Sequence, residues 1–152
     1  MIKYKQMSLF DAPEGSMLVH ACNAQGVWGS GIAAEFKKRY PRSYKEYGEF
    51  LDSQYTGVGD TFLHSQENKR HVVSMITSWD YGKKVDCPAV ILVNTVLALD
   101  DFVNCLTFDN KKPIYSNKFN SGMFKVPWTD TEKILQVFVE RHRLDWTVCE
   151  YE

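Results

Sequence analysis

A chain of 152 residues, 44% hydrophobic and 24% charged, has the make-up of a soluble globular protein and is long enough to bury a core as one domain, 1–152. Its formal net charge of −1 argues against a sequence-independent grip on nucleic acid, which needs a marked positive footprint, and leaves room only for a local basic patch. No apolar run approaches the roughly 20 residues that span a bilayer, and the opening "MIKYKQMSLFD" lacks a signal-peptide core, so no membrane partner is expected.

In chain order, "IKYKQ" alternates at period two and "SMLVHAC" is a short apolar run; both predict strands. In "GIAAEFKKRYP", Ile32, Ala33, Phe36 and Tyr40 fall at helical spacing, and Pro41 ends the pattern. "SYKEYGEFLDSQ" predicts a second short helix. Strand candidates "TFLHSQ" and "RHVVSMITS" follow, joined by the polar turn "ENK". The loop "WDYGKKVD" leads into a long apolar helix from about Pro88 to about Cys105, with Asp86 offered as its cap. "KPIYSN" predicts a short strand, "NSGMF" a glycine-containing loop, and "TDTEKILQVFVERH" a helix. Its Thr129-x-x-Glu132 has the form of a capping box. "LDWTVCEY" closes the chain as a strand. The alternation of strands and helices implies an α/β sandwich of three layers, with a mixed sheet covered on both faces.

The stretch "LVHACNAQGVWGSGIAAEFKKRYP", residues 18–41, places Gly26, Gly29 and Gly31 between a strand and a helix. A helix start offers unpaired N–H groups and partial positive charge, and residues without side chains let an anion reach them. The spacing matches neither G-x-G-x-x-G nor a P-loop, and a tight turn needing positive φ is the competing explanation. Asn23 stands at the carboxyl end of the strand, where open α/β sheets bind ligands. It serves there either as a ligand hydrogen-bonding group or as a turn residue satisfying its own backbone. His20 just before it is either a proton donor beside a bound phosphate or a hydrogen-bonded strand histidine. His64, His71 and His142 read as structural or surface residues. "NSGMF", from Asn120 to Phe124, repeats the loop pattern on a smaller scale, so two loops at one sheet edge can enclose a diphosphate.

Neither C-x-x-C nor H-E-x-x-H occurs, so no dedicated metal site and no cofactor are expected. The spacings of a cysteine phosphatase loop, an aspartyl-phosphate enzyme and a G-x-S-x-G elbow are also missing, which leaves a positioned water as the nucleophile of any hydrolysis. Cys22, Cys87, Cys105 and Cys149 are scattered and read as reduced thiols, mostly buried, in a cytoplasmic protein.

Taken together, "LVHACNAQGVWGSGIAAEFKKRYP", "NSGMFKVPW" and "TDTEKILQVF" make the chain resemble the macrodomain family, which binds ADP-ribose. It is most similar to the branch of ADP-ribose 1''-phosphate phosphatases, where an H-x-C-N strand end, a W-G-x-G-I-A loop and an N-S-G-x-F-x-V-P-W loop occur together. The resemblance implies that Asn23 meets the distal ribose and that Gly29, Ser30, Gly31 and Ile32 hold phosphate. It further implies that Ser121, Gly122 and Met123 close over the diphosphate and that Phe124 packs on the distal ribose. Ala21, Cys22, Trp28, Ala33 and Asn120 complete the implied binding set. For catalysis, His20 is the first candidate for proton transfer, Asp80 a second group that orients water, and Asn23 the residue that positions ribose and water.

The chain departs from the family at several points. Ala33 stands near the place of an Asp found in hydrolases that remove ADP-ribose from protein carboxylates or serines. Ser78-Trp79 and Phe124 stand where a second hydrolase branch has Lys and Asp. De-ADP-ribosylation by either residue set is therefore disfavoured. The adenine-reading Gly-Asp pair is Met7-Ser8 here. The expected activity is a phosphatase acting on ADP-ribose 1''-phosphate as a monomer. The alternatives are a module that binds ADP-ribose without turnover, a hydrolase acting on modified nucleic acid or protein, and an unrelated nucleotide-binding protein of metabolism.

Overall fold

A computed structural model of the chain describes residues 1–53, 57–106 and 112–151. Its six strands form one sheet: β1 (Lys3–Gln6), β2 (Met17–Asn23), β3 (Thr61–Leu63), β4 (His71–Ser78), β5 (Ile114–Ser116) and β6 (Trp146–Glu150). The order across the sheet is β1-β6-β5-β2-β4-β3, and every neighbouring pair is parallel except β3 with β4 at the edge. A polar turn with Asn68 and Lys69 at positive φ joins those two antiparallel strands. The helices are α1 (Gly31–Arg39), α2 (Pro41–Ser53), α3 (Pro88–Cys105) and α4 (Trp128–His142).

β2 and β4 are buried along almost their whole length, as parallel strands covered on both faces must be. Alternation along β2 sorts its side chains between two cores. Met17 and Val19 join Ala98, Leu99 and Phe102 of α3 and Leu135 and Val139 of α4 on one face. Leu18 and Cys22 join Phe36 of α1, Tyr47 of α2 and Trp28 on the other. The three-layer mixed sandwich expected from the sequence is therefore the fold.

α3 has the length and mean hydropathy, 1.4 over 18 residues, of a membrane span, yet it packs Ile91, Ala98, Leu99 and Phe102 into the core against β4. It is the long apolar helix of the sequence, capped differently from the expectation. Cys87 is its N-cap with Pro88 in the first turn, while Asp86 Oδ2 accepts from Trp79 N at 2.8 Å and closes the loop after β4 instead. The capping box at Thr129 and Glu132 also fails to form. Pro127, with φ −54°, is the N-cap of α4, so Thr129 is already inside the helix, and Glu132 accepts a hydrogen bond from Tyr4 Oη. Of the cysteines, Cys22 and Cys149 are buried, but Cys87 and Cys105 at the two ends of α3 are exposed.

Candidate active site

The site is built where β2 hands over to α1. The pairing of β2 with β4 slips between Cys22 and Asn23, so Asn23 pairs with Ser78 in a shifted register at the carboxyl end of the strand. Its side chain then closes the turn that follows. Oδ1 accepts from Gln25 N at 3.1 Å and Val27 N at 3.2 Å, and Nδ2 donates to Val27 O at 2.8 Å. Gly26, at φ +76°, completes the turn. Helix α2 holds it from behind: Tyr47 Oη donates to Asn23 O at 2.5 Å, and Tyr44 Oη, one helical turn away, donates to Gly26 O at 3.0 Å. Of the sequence alternatives for Asn23, the turn residue satisfying its own backbone is the one seen, and one Nδ2 hydrogen has no partner among the described residues.

Beyond this turn the chain enters α1 through Ser30, whose extended backbone makes it the N-cap although its hydroxyl caps no N–H. No acidic residue lies in the first turn. The leading N–H groups therefore carry their partial positive charge uncompensated. Gly31 has φ +60°, and a Cβ there would lie 3.4 Å from Met123 Cγ of the opposing loop.

That opposing loop, residues 120–126, is anchored by Asn120. Buried, with φ +68°, it accepts from Thr77 Oγ1 at 2.8 Å and donates to Thr95 Oγ1 at 2.9 Å and Thr131 Oγ1 at 3.5 Å. One side chain thus ties the loop to β4, α3 and α4. A third wall comes from the loop after β4, where Tyr81 and Gly82 face the cleft. Ser78 Oγ donates to Asp80 O at 2.6 Å, and Gln25 Nε2 donates to Trp79 O at 3.1 Å, binding this loop to the first.

The three loops enclose a cleft of about 400 Å³, within the usual range for a small-molecule site. Ala21, Cys22 and Asn23 at the end of β2 line it, followed by residues 28–33 and then Asn120, Gly122, Met123 and Phe124. Ser121 turns away: its Oγ donates to Lys118 O, and it lines an adjoining cavity of about 490 Å³ with Gln6, Ser8 and Phe10. Ser8 accepts from Phe10 N there, capping a single 3₁₀ turn. Among the described residues no charged side chain lines the first cleft, so the electrostatics they give it come from main-chain dipoles.

The candidate proton carriers lie outside it. Alternation along β2 points His20 with Leu18 and Cys22 toward α1, where it is fully buried, stacked on Phe36 at 4.1 Å and edge-on to Trp28 at 4.7 Å. Its Nε2 is 3.1 Å from Ser74 Oγ, which is 2.8 Å from His64 Nε2; His64 Nδ1 is 3.5 Å from Glu46 Oε1. Burial, reinforced by His64, holds the His20 imidazole far below its ordinary range, and burial lowers His64 to about 4 despite Glu46. Both are neutral near pH 7. His20 thus packs in the core, outside the residues that line the cleft, with its ring 3.4 Å from the Sγ of the cleft-lining Cys22. Burial likewise pushes the thiol of the cleft-lining Cys22 up to about 12, which favours its neutral form. Asp80 does not line the cleft either. It sits beside Tyr81, with Oδ1 accepting from Tyr81 N at 2.9 Å.

Sequence reasoning missed Val27, Tyr81, Gly82, Asn117 and Phe119, which also line the cleft. Tyr81 and Asn117 lie just past the carboxyl ends of β4 and β5, so the strand-end rule that singled out Asn23 could have found them.

Comparison with known proteins agrees with this geometry. The family model described as Macro domain matches residues 19–135, a span that includes both main loops of the cleft. An ADP-ribose 1''-phosphate phosphatase of Aspergillus oryzae is 32% identical, the match covering 89% of this chain and 88% of that one. One of the same name from Candida albicans is 31% identical over 93% of this chain and 96% of its own. Among solved structures, the macrodomain of Mycobacterium tuberculosis DarG shares the fold, with a TM-score of 0.82 at 23% identity over 98% of this chain and 97% of that one. With the model spanning most of its length and both loops in place around one cleft, this chain belongs to the Macro domain family.

Proposed function

We propose that the protein hydrolyses ADP-ribose 1''-phosphate to ADP-ribose and inorganic phosphate, binding its substrate in the cleft at the strand ends. The observation that carries this reading is that relatives of that name match about nine-tenths of the chain, with the family match running through both loops that wall the cleft. The diphosphate lies against the first turn of α1, where N–H groups and the helix dipole meet its charge. Residues 122–123 cover it from the other side. Asn23, with one amide hydrogen uncommitted, and Tyr81 are the polar side chains placed to orient the distal ribose and its phosphate. Water adds to the phosphorus as the bond from phosphorus to the C1'' oxygen breaks, giving inorganic phosphate and the C1'' hydroxyl of ADP-ribose.

Asp80, next in the chain to the cleft-lining Tyr81, has one carboxylate oxygen fixed on Tyr81 N. Its task is to orient the nucleophile. Most of the rate comes from holding the substrate and meeting charge with preorganised dipoles. The same reading has the protein act on a free small molecule as a cytoplasmic monomer without a metal.

The uncharged lining favours one second reading, a module that binds ADP-ribose without turning anything over. Incubating purified protein with ADP-ribose 1''-phosphate and assaying phosphate separates the two. Release of phosphate that Asp80→Asn slows supports the phosphatase. ADP-ribose binding in calorimetry with no release would replace it with the binding module.

A further inference from the structure

Three residues, Ile32, Asn117 and Gly122, line both the first cleft and the adjoining cavity, and so form the neck between them. Of these only Asn117 carries a polar side chain. It directly follows β5, at the carboxyl edge of the sheet. Its Oδ1 is buried and accepts no hydrogen bond from the protein. Buried acceptors are almost always paired, and one that lines a ligand channel is free to be paired by the ligand. The other two asparagines of the first cleft show the contrast. Asn23 spends its carbonyl oxygen on Gln25 N and Val27 N, and Asn120 on Thr77 Oγ1.

We infer that Asn117 Oδ1 accepts a hydrogen bond from a ribose hydroxyl on the nucleoside half of the ligand, making Asn117 a specificity-determining residue. The inference rests on the ADP-ribose reading above. A diphosphate held at the first turn of α1 lies beside Ile32, so the part of the ligand that continues into the second cavity must pass the neck. In a nucleoside diphosphate the group next to the phosphates on that side is the ribose, which carries 2′ and 3′ hydroxyl donors. A carbonyl oxygen selects for a donor: a hydroxyl satisfies it, while a phosphate oxygen, a ring ether oxygen or a deoxy carbon leaves it unpaired. A site built to pair a hydroxyl discriminates against the analogue that lacks it.

The test is calorimetric titration of the wild type and Asn117→Ala with ADP-ribose and with its analogues lacking the 2′ or the 3′ hydroxyl of the nucleoside ribose. Wild type is expected to bind one deoxy analogue about tenfold more weakly than ADP-ribose. Asn117→Ala is expected to bind ADP-ribose and both analogues alike, at the weaker level, with an unchanged unfolding midpoint. Equal affinity of the wild type for all three ligands overturns the assignment and leaves ADP-ribose binding intact, a result that needs no variant to fold. Discrimination that survives in Asn117→Ala overturns it as well. Failure of the wild type to bind ADP-ribose at all overturns the functional reading, and the assignment with it.

Discussion

Gly31 meets two demands that no other residue type meets together. Its φ of +60° is strained for residues with a Cβ, and the space a Cβ would take is bounded by Met123 Cγ at 3.4 Å. A carboxylate there would also stand in the path of a phosphate. Gly31→Glu is therefore expected to weaken ADP-ribose binding by at least about 100-fold while costing the fold only about 1–2 kcal/mol, a backbone penalty. Calorimetry and a urea melt on the same preparation check both halves, and unchanged affinity would remove phosphate from this loop. Gly31 was legible in the sequence because its neighbours declare a strand end and a helix start. His20 was not. Period-two alternation says that Leu18, His20 and Cys22 share a face, but only Cys22, two residues nearer the carboxyl end, lines the cleft, and nothing local says how far down that face the cleft extends. That depends on Phe36 and Trp28, which reach His20 from outside its strand.

Elements were easier to read than their ends. Among the described residues all six strands and four α-helices lie where periodicity and punctuation put them, yet both expected helix caps are replaced. Pro127 decides the start of α4, and Tyr4, 128 residues away, engages Glu132. A contact of that separation leaves no local signal. The consequence is measurable by urea denaturation. Thr129→Ala should change stability by less than about 0.5 kcal/mol, because the exposed hydroxyl does not cap the helix. Asn120→Ala should cost about 3 kcal/mol, since it strands hydroxyls on β4, α3 and α4 together. Equal costs for the two variants would overturn this division of labour. Asn120 was expected to bind ligand. It does line the cleft, but its side chain is spent on holding the loop in position.

For the whole molecule, acid is the condition that tests the core behind the cleft. His20 and His64 are neutral in the folded state, with His64 at about 4, against about 6.5 for an unfolded histidine. Below pH 6.5 the unfolded chain therefore binds more protons than the native one, so stability falls as pH drops from about 6.5 toward 4 and is fully present above that window. His64, held neutral by burial, contributes to that loss. Denaturation midpoints measured from pH 7.5 to 4.5 should fall steeply in the wild type and less steeply in His64→Gln. Parallel curves would show that His64 is not held neutral.

The uncharged wall of the cleft reaches beyond the fold. Peptide dipoles hold an anion firmly at contact, but their pull fades over a few ångströms. The protein as a whole, at −1, exerts no long-range attraction on a polyphosphate. Its ligand is met by unguided diffusion and kept by fit, so tightness resides in slow departure rather than fast arrival.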